Sequence, residues 1–116
     1  ENHLKLIRLV TGFDMSIEEL RDVAHRIYTL ERCFNIREKE VAREEDTLPW
    51  RILHERIPNG PAAGFGVTPE ELNEMLEEYY LLRGWDKNGI PTEKELRRLG
   101  LDFAIEDMNK VRKKSV

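Results

Sequence analysis

Three carboxylates, Glu31, Glu38 and Asp46, stand close in sequence to Arg32, Arg37, Arg43 and Arg51. Two such acids at different protonation states can perform general acid–base chemistry. Arginines threaded between them favour another reading, an ion network that orients the end of a helix. Cys33 sits in the same stretch, beside Phe34. A thiol on the apolar side of a helix is by default a packing residue, and no Cys–His pairing supports a nucleophile. The three histidines, His3, His25 and His54, are far apart and form no HExxH-type pair, so their spacing does not support a metal. Asp86-Lys87-Asn88-Gly89 hints at a calcium loop, but its glycine is the fourth residue and the glutamates that follow come too early. It reads as a turn between helices. GPAAGFG, residues 60–66, lacks the GK[ST] end of a phosphate loop and follows no strand. Tyr79, Tyr80 and Trp85 could stack on bases, yet no basic groove accompanies them, and they read as closing a core.

Composition narrows the classes. The chain has 116 residues, 40% hydrophobic and 36% charged. That suits one small globular domain spanning residues 1–116 and is too apolar for a disordered chain. With 19 basic and 23 acidic residues interspersed, the net charge is −4, which offers nucleic acid no basic face. The basic run from Lys110 to Lys114 reads as a solvated tail. A single cysteine excludes an internal disulfide framework and leaves too few thiols for a zinc or iron–sulfur site. No run of about 18 apolar residues predicts a membrane span, and no signal-peptide pattern is visible. A cytoplasmic location fits. The sequence lacks an initiator Met and opens inside a helical pattern, His3 to Val10. We read it as a piece of a longer protein.

These side chains must be positioned by helices. Leu20, Val23, Ile27, Leu30 and Phe34 recur at alternating steps of three and four, predicting a long central helix from Ile17 to about Glu38 with that stripe facing the core. Ser16 and Glu19 form a capping box at its start. Thr68-Pro69-Glu70-Glu71 is a second box, opening a helix to Arg83 that Gly84 ends, with Leu72, Met75, Leu76, Tyr79 and Leu82 inward. Thr92 and Glu95 form a third. Residues 3–10 end at Gly12, Trp50 to Glu55 follow Pro49, and Asp102 to Lys113 offer Phe103, Ile105, Met108 and Val111 for packing. No stretch alternates like a strand. The expectation is an all-α fold, about five helices or more in a small irregular bundle joined by Gly/Pro-rich loops.

LERCFNIRE, EEDTLPWRIL and EEYYLLRGWDKNGIPTEKELRRLGL together resemble one family, the tungsten-containing aldehyde:ferredoxin oxidoreductases, in their C-terminal segment. There a helix carries E-R-x-F-N-x-R-E-G, then D-x-L-P-x-R. The matching positions here are Glu31, Arg32, Phe34, Asn35, Arg37, Glu38, Asp46, Leu48, Pro49 and Arg51. A second block, Y-Y-x-x-R-G-W-D-x-x-G-x-P, falls on Tyr79, Tyr80, Arg83, Gly84, Trp85, Asp86, Gly89 and Pro91, and its L-x-x-L-G-L ending on Leu96, Leu99, Gly100 and Leu101. TGFD at 11–14 resembles the family's T-G-W-D. Lys39 stands where the family has Gly, so the helix is expected to run on.

The resemblance implies a helical C-terminal piece of a redox enzyme that uses ferredoxin as electron acceptor. A tungsten (or molybdenum) pterin and a 4Fe-4S cluster are implied for the parent's other domains, and no cofactor, metal or catalytic residue for this piece. The matched residues are expected to be structural. The seven charges between Glu31 and Arg51 are expected to converge on one network, in which Arg37 matters. The implied partners are the remaining domains, with ferredoxin as the parent's partner. Self-association through residues 4–10 and one side of the long helix is a further expectation. A free-standing helical interaction module without redox chemistry is the alternative.

Overall fold

The computed structural model describes residues 2–114, and every regular element among them is helical. In chain order these are α1 (Asn2–Thr11), α2 (Ile17–Lys39), α3 (Trp50–His54), α4 (Pro69–Arg83), α5 (Glu93–Arg98) and α6 (Ile105–Lys114). Single 3-10 turns at Arg43–Glu45 and Asp102–Ala104 separate some of them. The closest approach to a strand pairing among the described residues is an isolated bridge between Trp85 and Pro91.

Caps set the helix starts. Ser16 Oγ accepts from the Glu19 N–H at 3.1 Å, and the Glu19 carboxylate accepts from the Ser16 N–H at 2.7 Å. Thr68 and Glu71 repeat this at 3.2 and 2.8 Å. The third box is only half formed. Thr92 accepts from the Glu95 N–H at 3.3 Å, but its hydroxyl donates to the Gly84 carbonyl at 2.7 Å, and the Glu95 carboxylate turns to Arg98 instead.

The core gathers at the C-terminal end. Cys33 and Ile36 of α2 pack with Ala42, Ile90, Leu96, Leu99, Leu101, Ala104, Met108 and Val111, and α2 lies against α6. Neither α1 nor α3 buries a residue. The expected inward stripe of α2 is therefore a correction. Val23, Ile27, Leu30 and Phe34 are 43%, 54%, 39% and 56% exposed, and the buried positions are Thr29, Cys33 and Ile36. Small Thr29 and Cys33 allow close approach, and the short C-terminal elements can cover only one face of so long a helix. On α4 the buried residue is Tyr80, while Met75 and Leu82 are exposed; Phe103 is exposed as well. The result is a slab, 50 × 42 × 21 Å, with a radius of gyration of 18.1 Å. A compact chain of this length would have about 13 Å.

The lack of a glycine at position 39 leads one to expect that α2 continues. It stops at Lys39 all the same, because Glu40 takes the left-handed conformation (φ 57°) and its N–H bonds the Ile36 carbonyl at 2.8 Å. A Cβ in that conformation is strained by roughly 1–2 kcal/mol. Glycine removes the strain and returns part of it as unfolded-state entropy. Glu40→Gly should therefore raise unfolding free energy by about 0.5–1 kcal/mol, despite losing an exposed ion pair with Lys114. Urea denaturation checks this; a lower midpoint would contradict it.

Candidate functional site

The two motif blocks meet at Arg32. From α2 its guanidinium grips Asp46 with both forks, Nη1 to Oδ1 at 2.8 Å and Nη2 to Oδ2 at 2.5 Å, while Nε donates to the Gly89 carbonyl at 3.1 Å. Both side chains are mostly buried, 16% and 21% exposed. The Tyr80 hydroxyl donates to Asp46 Oδ2 as well. Burial, and then the hydrogen bond to Asp46 and its charge, push the Tyr80 phenol far above its ordinary pKa. Gly89 has φ 70°, and a Cβ there would lie 2.7 Å from Arg32 Nη2 and 2.8 Å from Tyr80 Cζ. Only glycine fits where the turn passes under the guanidinium.

Trp85 forms the floor. Arg32 lies 5.1 Å above its ring; Tyr28 stacks on it at 6.3 Å and Tyr79 meets it edge-on at 5.7 Å. Arg83 sits between Tyr28 and Tyr79, at 4.8 and 5.1 Å from their rings. Burial and a hydrogen bond with Tyr28 raise the Tyr79 phenol. Gly84 ends α4 at φ 67°, and a Cβ there would come within 2.8 Å of the Glu95 side chain. Asp86 closes the following turn, its Oδ1 accepting from the Asn88 and Ile90 N–H groups at 2.9 and 3.1 Å. This is the turn expected in place of a calcium loop.

Two contributors escaped the sequence reading. Arg112 of α6 donates to Asp86 Oδ2 at 2.8 Å and to the Pro91 carbonyl at 3.0 Å, tying the last helix to the turn. Its position inside the C-terminal basic run concealed it, and its partners lie 26 and 21 residues away. Asn73 was also missed; with the Lys87 carbonyl it anchors Arg43, whose guanidinium lies 5.4 Å above the Tyr80 ring.

The single seven-charge network does not form. Arg32 and Asp46 pair, with Arg43 on the other side of Tyr80. Arg37 bonds its exposed neighbour Glu38 and stands 3.8 Å from Asp107. Arg51 pairs with Glu55 on the surface of α3. Glu31, Phe34, Asn35 and Pro49 are exposed, and Glu31 and Asn35 line a cleft of about 180 Å³ beside Arg32 and Trp85. Arg37 is thus a surface residue, and the weight expected of it rests on Arg32.

The chemistry open to this arrangement is limited. Both Asp46 oxygens already accept hydrogen bonds, from Arg32 and Tyr80. Burial pushes the Cys33 thiol up to about 11, whereas a metal or cluster needs thiolate. No group of three or more His, Cys, Asp or Glu among the described residues could hold a metal ion. One buried thiol is too few to hold a 4Fe-4S cluster. No helix among them is long and apolar enough to cross a membrane.

Comparison with known proteins gives these motifs a context. The family model described as aldehyde ferredoxin oxidoreductase, domains 2 and 3, matches residues 1–101. A tungsten-containing aldehyde ferredoxin oxidoreductase of Pyrococcus abyssi is 38% identical over 105 residues, 90% of this chain and 17% of that protein. One from Pyrococcus horikoshii is 37% identical over 102 residues, 88% of this chain and 16% of that protein. The WOR-like subunit of an aliphatic sulfonate oxidoreductase from Pyrococcus furiosus is 28% identical over 110 residues, covering 90% and 18%. The chain therefore spans about a sixth of the length of the aldehyde ferredoxin oxidoreductases it matches.

Asp46→Asn should destabilise by about 2–3 kcal/mol, since it leaves a mostly buried guanidinium without its counter-charge. Arg37→Ala should cost no more than about 1 kcal/mol, as for an exposed pair. Urea midpoints compare them; equal losses would contradict the assignment. Tyr80 adds a pH dependence. Its folded pKa is raised, so the stability it contributes is complete below the unfolded tyrosine value, about 10, and declines as pH rises above it. Stability should fall between about pH 10 and 11.5, and more gently in Tyr80→Phe, which also loses a hydrogen bond to a carboxylate. Chemical denaturation at about pH 8 and about pH 11 separates the two; parallel losses in both proteins would remove Tyr80 from the account.

Proposed function

The chain belongs to the aldehyde ferredoxin oxidoreductase family, and on that premise we propose that it serves as the C-terminal helical part of a larger tungsten- or molybdenum-pterin enzyme. In this reading the larger protein oxidises an aldehyde to a carboxylic acid and passes the electrons to ferredoxin. Its other domains hold the pterin metal and a 4Fe-4S cluster. Residues 1–116 form one helical domain that walls the cofactor-bearing part and takes no part in the chemistry. The aldehyde assignment follows the more similar relatives; one relative is named for aliphatic sulfonate instead.

The observation that carries this reading is the fate of the motif residues. Arg32, Asp46 and Tyr80 bond one another across elements, Trp85 packs beneath Arg32, and Asp86 ties its turn to α6 through Arg112. Side chains that tie elements together in this way hold a wall in shape. The exposed stripe of α2 and the uncovered apolar side of α1, including Leu6, Leu9 and Val10, are where the remaining domains dock. Apolar surface beyond a few hundred Å² tends to mark such a contact. In their absence the same face supports self-association.

Two experiments test the division of labour. The isolated chain should retain no stoichiometric tungsten, molybdenum or iron and reduce no viologen dye with aldehydes; turnover by it alone would contradict the proposal. A chimera in which this chain replaces the matching segment of the Pyrococcus abyssi relative should keep its tungsten and its aldehyde oxidation. A folded chimera lacking metal would show that the segment does more than wall the site.

A further inference from the structure

The sequence carries two Asn-Gly steps, Asn59-Gly60 and Asn88-Gly89. The remaining asparagines, Asn2, Asn35, Asn73 and Asn109, lie in helices. An asparagine followed by glycine can close on itself: the glycine nitrogen attacks the side-chain amide carbon, and no Cβ stands in its way. The step needs three freedoms. The side chain must fold back onto the backbone, the glycine N–H must be free to give up its proton, and the peptide between the two residues must turn. Two identical dipeptides therefore differ in reactivity mainly through what the fold does to them.

Asn88-Gly89 is pinned on every side. The Gly89 N–H donates to the Asp86 carbonyl at 2.8 Å. The N–H groups of Asn88 and Ile90 donate to Asp86 Oδ1 at 2.9 and 3.1 Å. The Gly89 carbonyl accepts from Arg32 Nε at 3.1 Å. Gly89 is buried, and a Cβ there would lie 2.7 Å from Arg32 Nη2, which leaves the peptide little room to turn.

Asn59-Gly60 has no such restraint. Its loop is closed at the base, where the Ile57 N–H donates to the Phe65 carbonyl at 2.9 Å and the Gly64 N–H to the Ile57 carbonyl at 2.8 Å. The far side is held from the Gly60 carbonyl onward, which accepts from the Ala63 N–H at 3.0 Å. Between these anchors, the Asn59 side chain and the Gly60 N–H make no hydrogen bond with a described residue. Asn59 is exposed, and a Cβ at Gly60 would meet nothing within 4 Å.

We propose that Asn59 is a self-modification site, cyclising with the Gly60 nitrogen and deamidating in the folded chain, while Asn88 is protected by the turn beneath Arg32. The Gly60 nitrogen loses its proton to hydroxide and bonds to Asn59 Cγ. The Cγ–Nδ2 bond breaks, and Nδ2 takes a proton from water and leaves as ammonia. A five-membered imide remains. Water then opens either of its carbonyl–nitrogen bonds. One opening gives aspartate; the other gives isoaspartate, with the backbone running through the side-chain carbon. One water is consumed, one ammonia is released, and nothing is oxidised or reduced. Each event adds one negative charge to the loop of a chain whose net charge is −4. The site does not depend on the redox reading.

The test uses the full 116-residue chain, incubated at mildly alkaline pH both folded and in urea, then digested briefly with trypsin at neutral pH. Cleavage after Arg56, Arg83, Lys87 and Lys94 places Asn59 in residues 57–83 and Asn88 in residues 88–94. Mass spectrometry follows the amide-to-acid mass gain, and fragment ions separate Asn59 from Asn73. Asn59 should convert in the folded chain within about threefold of its rate in urea, as for a loop with almost no opening cost. Asn88 should convert at least about tenfold more slowly folded than in urea, since it reacts only when the turn opens. The product at position 59 should contain isoaspartate beside aspartate. Asn59→Gln, which would have to close a larger ring, should stay unconverted at that position. Several results would overturn the proposal: no conversion of Asn59 in the folded chain, equal folded-state rates at Asn59 and Asn88, aspartate without isoaspartate, or equal conversion of the Asn59→Gln variant.

Discussion

The bond between Arg32 and Asp46 is the constraint on which the rest depends. The core of this chain is small and sits at one end: Ala42 and Ile90 pack against Cys33 and Ile36 of α2, and a directional bond ties residues 43–46 and 84–91 to the same helix. One guanidinium does both, through two bonds to Asp46 and a third to the Gly89 carbonyl. The chain then has to make room. Gly89 must lack a side chain, Tyr80 must supply the remaining donor to the carboxylate, and Trp85 must present its face beneath the positive charge. Buried polar groups arranged this way rigidify a structure when every member has a partner and weaken it when one does not. The asymmetry explains why a surface-looking Arg–Asp pair can govern the packing of aromatic residues around it.

The helices could be read from the sequence because their ends are written in local chemistry. Ser16, Thr68, Gly12 and Gly84 act within a few residues of themselves. The buried face of α2 could not be read the same way. Its sequence carries two apolar lines, Leu20 to Phe34 and the shorter Thr29, Cys33, Ile36, and the longer one is the more conspicuous. Periodicity records that a face suits burial; it does not say which element supplies the cover. Tyr80 against Leu82 on α4 is the same lesson, with the polar-tipped residue inside and the leucine outside.

The site was legible as residue types and not as pairings. Arg32 and Arg37 look equivalent along the chain, yet five residues place them about 140° apart on a helix, too far round to serve one network. Helix geometry alone separates that pair. It does not supply the Asp86–Arg112 link, because nothing local relates residues 26 apart. Glu40 is a third kind of case. A left-handed cap is expected of glycine, and its occurrence at a glutamate means that the helix end is imposed from downstream, where residues 43–46 must turn back to reach Arg32.

These demands fall on one helix in separate sectors. At about 100° per residue, Thr29, Cys33 and Ile36 define one side of α2. Arg21, His25 and Tyr28 lie roughly a quarter turn from it, and Val23, Ile27, Leu30 and Phe34 roughly a third of a turn the other way. The first side is closed by α6 and the C-terminal turn. The second is cationic and aromatic and faces α4 across an open groove. The third is apolar and open. A helix that served only its own small core would need one apolar side and could leave the others to solvated charge. Keeping two further sides chemically distinct, with the Arg32–Asp46 bond fixing the cationic and aromatic one, suits a helix that packs on more than one side. The flat 21 Å dimension of the slab is the geometric form of the same fact: much of α2 is left uncovered by its own chain.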